Sequence, residues 1–216
     1  MSPPAQDKPK STHPAPPKLA HIVLRTNPDN FGTMVKFYLQ ALNGSVRYED
    51  PGKIAFLSYD DEHHRIAIAA IPGASPPTAD GPPRTGLDHV AFAFANLTQL
   101  AQVYVSLRDH AENPLRPVWA VNHGPTTSLY YRDPEWNKIE MQVDNFDTNE
   151  EANAFMNSGE FAENPFGVDF DPDEWSAKIL SKMREDGSEG LSVEESKALK
   201  TRPASGPRAH PPAGVF

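Results

Sequence analysis

This chain predicts an α+β fold made of two βαβββ modules, and three observations carry that expectation. Residues 55–69, AFLSYDDEHHRIAIA, align without a gap on residues 128–142, SLYYRDPEWNKIEMQ. Upstream of each copy lies a strand-like run with a histidine at its centre, LAHIVL around His21 and LDHVAF around His89. The two copies differ at one chemically important place, because the alignment pairs Ala67 with Glu140. Two modules that each present a histidine, only one of which adds a carboxylate, can form a concave mixed sheet around a three-ligand metal site with open coordination positions.

Composition narrows the function classes. A chain of 216 residues can bury one substantial core or two small modules. No apolar run approaches the roughly 20 residues of a membrane span, and the N-terminus lacks a basic-then-apolar signal, so no membrane partner is expected. With no cysteine, any metal must be held by His, Asp or Glu, and a cytoplasmic setting is expected. The formal charge of -9 and the absence of clustered Lys and Arg argue against nucleic acid as a partner.

Residues 1–18 are rich in proline and poor in apolar side chains, which reads as a disordered leader. The first module, 19–73, opens with the strand LAHIVLR. Asn27-Pro28 then supplies a cap and a first helical position, Met34, Phe37, Tyr38, Ala41 and Leu42 recur at helical spacing, and Gly44 suits the helix end. Strands are expected near Ser45–Glu49, Lys53–Tyr59 and Arg65–Ile71. The Pro/Gly-rich stretch 74–85 is a linker. The second module, 86–146, repeats the order: GLDHVAFAFA, a helix capped by Asn96 with Gln99 at the capping-box position, then strands near Pro117–Val121, Thr127–Arg132 and Lys138–Val143. Beyond it, 147–200 reads as a helical extension. It has one helix near Asn149–Asn157 and another opened by Asp171-Pro172, and it serves as a lid over exposed sheet or as a homodimer contact. Residues 201–216 read as a disordered tail.

Alternation along strands sorts the side chains by face. His21 and Val23 share the surface opposite Ala20, Ile22 and Leu24. His89 and Ala91 lie opposite Val90, Phe92 and Phe94, and Glu140 and Gln142 lie opposite Ile139, Met141 and Val143. A lone strand histidine is more often a hydrogen-bonded core or surface residue than a ligand. Two at matched positions of a repeat, with a carboxylate on an otherwise apolar strand, make the set a candidate. An unpaired carboxylate there would cost on the order of several kcal/mol of desolvation, which a cation offsets. Asp88 alternates to the other face and is not counted as a ligand.

The paired βαβββ modules with His21, His89 and Glu140 so placed resemble the vicinal oxygen chelate superfamily, which includes glyoxalases, antibiotic-resistance proteins and extradiol ring-cleaving dioxygenases. The resemblance covers roughly residues 19–146, and NPFGVDFDPDE at 164–174 is similar to dioxygenase-like members. Four-ligand members draw a ligand from the last strand of each module; here Ala67 stands in that place. The resemblance therefore implies two histidines and one carboxylate holding Fe(II), with Mn(II), Zn(II) or Ni(II) as alternatives, and a small aromatic diol and O2 as substrates. It also implies that His64 is a proton donor and acceptor near the oxygen, and that His123 and Tyr130 hydrogen-bond the diol. His64 has the parity of Ile66, so a bulge or twist is needed to bring it to the metal side. The family turn, Asp-Pro-Asp/Glu-Gly-Asn, reads Asp133-Pro134-Glu135-Trp136-Asn137 here, and tryptophan makes a positive φ costly, so another turn shape is expected. Two rival readings stand beside the dioxygenase: a metal-dependent thiol transferase or isomerase of the same superfamily, and a non-catalytic module that binds an aromatic ligand.

Overall fold

The structure, a computed structural model, describes residues 14–75 and 85–203. The leader before residue 14, most of the linker and the tail beyond residue 203 lie outside the described residues. The chain divides into two compact units, Met1–Pro77 and Thr78–Phe216. No helix among the described residues is long and apolar enough to cross a membrane.

In the first unit, β1 (Ile22–Thr26) leads through a 3-10 turn capped by Asn27 into α1 (Phe31–Ala41). Three strands follow, β2 (Ser45–Asp50), β3 (Ile54–Ser58) and β4 (Ile66–Ala70). They form one sheet in the order β1-β4-β3-β2, with β1 parallel to β4 and the rest antiparallel. Met34, Phe37 and Tyr38 of α1 are buried, as are Ala55, Leu57, Ile66 and Ile68, which makes this the core face. The helix ends differently from expectation. Asn43, not Gly44, takes the left-handed conformation at φ 48. Gly44 serves close approach instead, since a Cβ there would make a tight 3.2 Å contact with the carbonyl oxygen of Ser58.

The second unit repeats the plan with β5 (His89–Ala93), α2 (Leu97–Arg108), β6 (Trp119–Asn122), β7 (Thr126–Arg132) and β8 (Lys138–Asp144). Asn96 caps α2 through the amide of Gln99, and the Gln99 side chain accepts from the Ala95 amide. Its sheet runs β5-β8-β7-β6 and adds a fifth strand beyond β6. Leu97, Leu100 and Tyr104 pack over Leu129, Ile139, Met141 and Val143, all buried.

The repeat is carried by strand register. Ala67 of β4 stands beside Val23, two residues after His21, and Glu140 of β8 stands beside Ala91, two residues after His89. The gapless alignment fails by one residue on the neighbouring strand: Tyr130 faces Glu140, but Phe56, not Leu57, faces Ala67.

The extension comprises α3 (Asn149–Met156), α4 (Gly159–Glu163), β9 (Val168–Asp169), α5 (Pro172–Leu180) and α6 (Val193–Lys200). β9 joins the edge of β6 antiparallel, and α5 packs on α2. Asp173 on the first turn of α5 explains that docking, accepting from Tyr104 Oη at 2.7 Å, Arg108 Nη1 at 2.6 Å and Arg116 Nη1 at 3.0 Å. Order also extends further than composition indicated, since Arg202 is buried.

The turn before β8 corrects a second expectation. Trp136 does adopt the left-handed conformation, at φ 66. Asp133 holds the turn, its carboxylate accepting from the amides of Glu135 and Asn137 at 2.9 and 2.8 Å and from Asn137 Nδ2 at 2.8 Å. Arg132 donates to the Trp136 carbonyl at 2.8 Å and lies 5.5 Å from the centre of its ring. These contacts offset the cost of a left-handed non-glycine residue, about 1–2 kcal/mol.

Candidate active site

In the second unit, pairing fixes what the sheet presents opposite its core. His89 lies across from Lys138, Glu140 from Tyr130, and Tyr130 from Trp119, so His89, Glu140, Tyr130 and Trp119 share one open face. His89 Nε2 lies 3.0 Å from Glu140 Oε2. His89 Nδ1 is 2.6 Å from Asp88 Oδ1, and Asp88 is paired in turn with the nearly inaccessible ammonium of Lys138 at 2.8 Å. A carboxylate only accepts, so Nδ1–H donates to Asp88 and Nε2 is turned toward Glu140. Sequence reasoning excluded Asp88 as a ligand and missed this role. The signal was the Asp-His dipeptide together with a lysine on the strand that pairs with it.

Two lone-pair atoms 3.0 Å apart, Nε2 and Oε2, need a cation between them. Accordingly His89 is held above the ordinary histidine range, first by its Glu140 hydrogen bond and against burial, with Asp88 adding to the effect. Burial pushes the Glu140 carboxyl up, but the His89 and Ser128 hydrogen bonds and the nearby histidine charges outweigh it and leave it below its usual value. An imidazole nitrogen and a buried carboxylate oxygen converging in this way form a donor set that fits Fe(II), Mn(II) or Zn(II). Among the described residues, no three His, Cys, Asp or Glu side chains are gathered as a metal-holding group.

Tyr130 links this pair to His123. Its hydroxyl lies 3.0 Å from His123 Nε2, and its ring stacks on Trp119 with centroids 5.1 Å apart. Burial, then the Glu140 charge, raise the Tyr130 phenol well above its ordinary range. The phenol stays protonated, with His123 Nε2 as its acceptor and the Glu140 carboxylate beside it. Burial lowers His123, which favours the neutral ring.

In the first unit, His21 immediately precedes β1 and His64 lies in the bend between β3 and β4. The His64 ring is 4.4 Å from that of His21 and 4.8 Å from Phe56, which lies opposite Ala67 and next to Tyr48. The parity objection to His64 is answered because the residue stands outside the strand. The bend is organised by Asp60, whose carboxylate accepts from the Glu62 amide at 3.1 Å and from Arg65 Nε at 2.9 Å. His64 is therefore gathered with His21 on the open face of the first sheet. Desolvation, then the neighbouring His21 and His63, lower its pKa.

A repeated βαβββ unit with a His-Glu pair on the open face of its second copy defines the vicinal oxygen chelate class. Biphenyl-2,3-diol 1,2-dioxygenase 2 of Rhodococcus globerulus is 43% identical over 158 residues, 73% of this chain and 79% of that protein. Biphenyl-2,3-diol 1,2-dioxygenase 3 of the same organism is 43% identical over 156 residues, 72% of this chain and 78% of that protein. Among solved structures, the lactoylglutathione lyase of Agrobacterium tumefaciens has a TM-score of 0.44 at 19% identity, covering 59% of this chain and 94% of that one. No family model matches the chain. With 43% identity over nearly three quarters of its length, the chain belongs to the ring-cleaving dioxygenase family of the vicinal oxygen chelate superfamily. It is an enzyme, and the reading as a non-catalytic binding module falls.

Proposed function

We propose that the chain is an Fe(II)-dependent extradiol dioxygenase acting on a catechol that carries an aryl substituent, with His21, His89 and Glu140 as metal ligands. One observation carries this reading: the His89–Glu140 pair and the His123–Tyr130 pair lie on one sheet face, each spanned by 3.0 Å. The relatives' printed substrate, a biphenyl-2,3-diol, supports the substrate class. His21 as third ligand is supported by its match to His89 in the repeat.

When bound, the metal templates the diol and O2 and polarises both. The side chains do the rest. Asp88 keeps His89 in the tautomer that offers Nε2. Tyr130 keeps its proton and donates a hydrogen bond to a diol oxygen, and neutral His123 accepts a proton from the diol at Nε2. His64 takes up or returns a proton at the oxygen-derived group. Trp119 and Val121, buried beside Tyr130, wall the aryl ring.

The test is oxygen uptake by protein purified anaerobically and loaded with Fe(II). Ring opening of biphenyl-2,3-diol should outpace that of unsubstituted catechol, consume one O2 per diol, and vanish with zinc. Turnover of a thiol or epoxide substrate by zinc-loaded protein without oxygen would place the chain among the transferases or isomerases instead.

A further inference from the structure

His123 is held at its back by the C-terminal extension. Its Nδ1 lies 2.7 Å from the carbonyl oxygen of Phe166. A carbonyl can only accept, so Nδ1 carries the proton and Nε2 of the neutral ring is an acceptor, turned toward Tyr130. The Phe166 carbonyl is in turn fixed by a closed turn: Asn164 Nδ2 donates to the Gly167 carbonyl at 2.7 Å, and the Gly167 amide donates to Asn164 Oδ1 at 3.0 Å. Gly167, at φ 96, lies so close to the strand end that a Cβ would stand 2.1 Å from the Asn122 carbonyl oxygen and 2.7 Å from His123 Cα. No other residue lets the turn reach this far.

Arg202 closes the arrangement from the far end of the extension. Its guanidinium donates to the His123 carbonyl at 3.2 Å, to the Asn164 carbonyl at 2.7 Å, and to the carbonyl and carboxylate of Glu160 at 3.1 and 3.2 Å. It also lies 5.1 Å from the centre of the Phe155 ring, which fills the space beside Gly124 where a Cβ would be only 2.2 Å away. A charge buried to 7% exposure and divided among four acceptors joins the residue-123 backbone to the residue-164 turn. Lysine cannot span that set, since an ammonium lacks the planar fork.

We propose that Asn164, Gly167 and Arg202 are positioning residues for His123, and that the extension serves to set the tautomer and aim of that imidazole. The inference rests on the proton-accepting role given to His123 above. None of the three residues is a proposed metal ligand.

The test uses the full-length chain with histidine labelled by nitrogen-15, the His123 signal being assigned from a His123→Gln variant. Wild type should show His123 protonated at Nδ1. Asn164→Ala, Gly167→Ala and Arg202→Ala should shift that signal toward the other tautomer or an average. In the Fe(II)-loaded enzyme each should lower kcat about tenfold or more, with KM and metal content changed less than about twofold. Arg202→Lys should recover only part of the loss. Should Arg202→Ala fail to fold, Asn164→Ala, which removes no buried charge, decides alone. A wild-type His123 protonated at Nε2, or folded variants that keep both the wild-type signal and kcat, would overturn the proposal. Full turnover by His123→Gln would remove the role of His123 itself, while the nitrogen signals would still judge the positioning.

Discussion

Asp88 is the residue whose contribution is most separable from the rest of the site. It touches no reacting atom, yet its carboxylate takes the Nδ1 proton of His89 at 2.6 Å and is neutralised by Lys138. Such partners raise the basicity of a ligating imidazole and fix its orientation, and losing one typically weakens metal binding about 10–100-fold. Asp88→Ala should therefore weaken Fe(II) or Zn(II) binding by about that factor, read by competition with a chromophoric chelator, while far-UV circular dichroism stays unchanged. Equal affinity in variant and wild type would show that Nε2 is presented without help. Trp136 teaches a different lesson at this scale. The cost of its positive φ was legible, but the compensation by Asp133 and Arg132 was not, because it depends on which backbone amides a folded carboxylate reaches.

At the scale of elements, one carboxylate ties α5 to α2 beside the buried Trp175 and Ile179 of α5. Three donors draw the Asp173 carboxyl down to about 2, the Tyr104 hydrogen bond first and then Arg108. A carboxyl whose folded pKa is depressed stabilises the fold above its unfolded value, near 3.8, and loses that contribution as pH falls through about 2. Urea midpoints should thus fall more steeply between about pH 4 and 2 in wild type than in Asp173→Asn, and the two curves should run parallel above pH 5. Parallel curves throughout would show that the cluster adds nothing to the native state, as exposed ion pairs often do not. The strands and the two module helices were legible because alternation and helical spacing are local. α4, β9 and α6 were not, because they are short and are stabilised by what they touch: β9 exists because β6 offers an edge, with Trp119 Nε1 bonded to Asp169 at 2.7 Å.

Over the whole molecule, the repeat was the strongest signal, and it located both histidines and the carboxylate at matched register positions without any knowledge of contacts. What it could not give was the exception to itself. The one-residue offset on β3 places Phe56 where the second unit has Tyr130, and the bend after it turns His64 onto the open face. A gapless alignment hides both, since one residue of slip exchanges the faces of a strand. The proposed ligand set joins His21 to His89 and Glu140, as the repeat matches them. An ion held by all three stabilises the native chain by mass action, by about 2.7 kcal/mol at a hundredfold excess over Kd. For a chain of this size that is a rise in Tm of about 5–10 °C. Glu140→Ala should lose most of this rise, and so should His21→Ala. Scanning calorimetry of zinc-loaded wild type and both variants tests this without any turnover. If His21→Ala keeps the full rise, the ion is bound without His21 and the three-ligand reading fails.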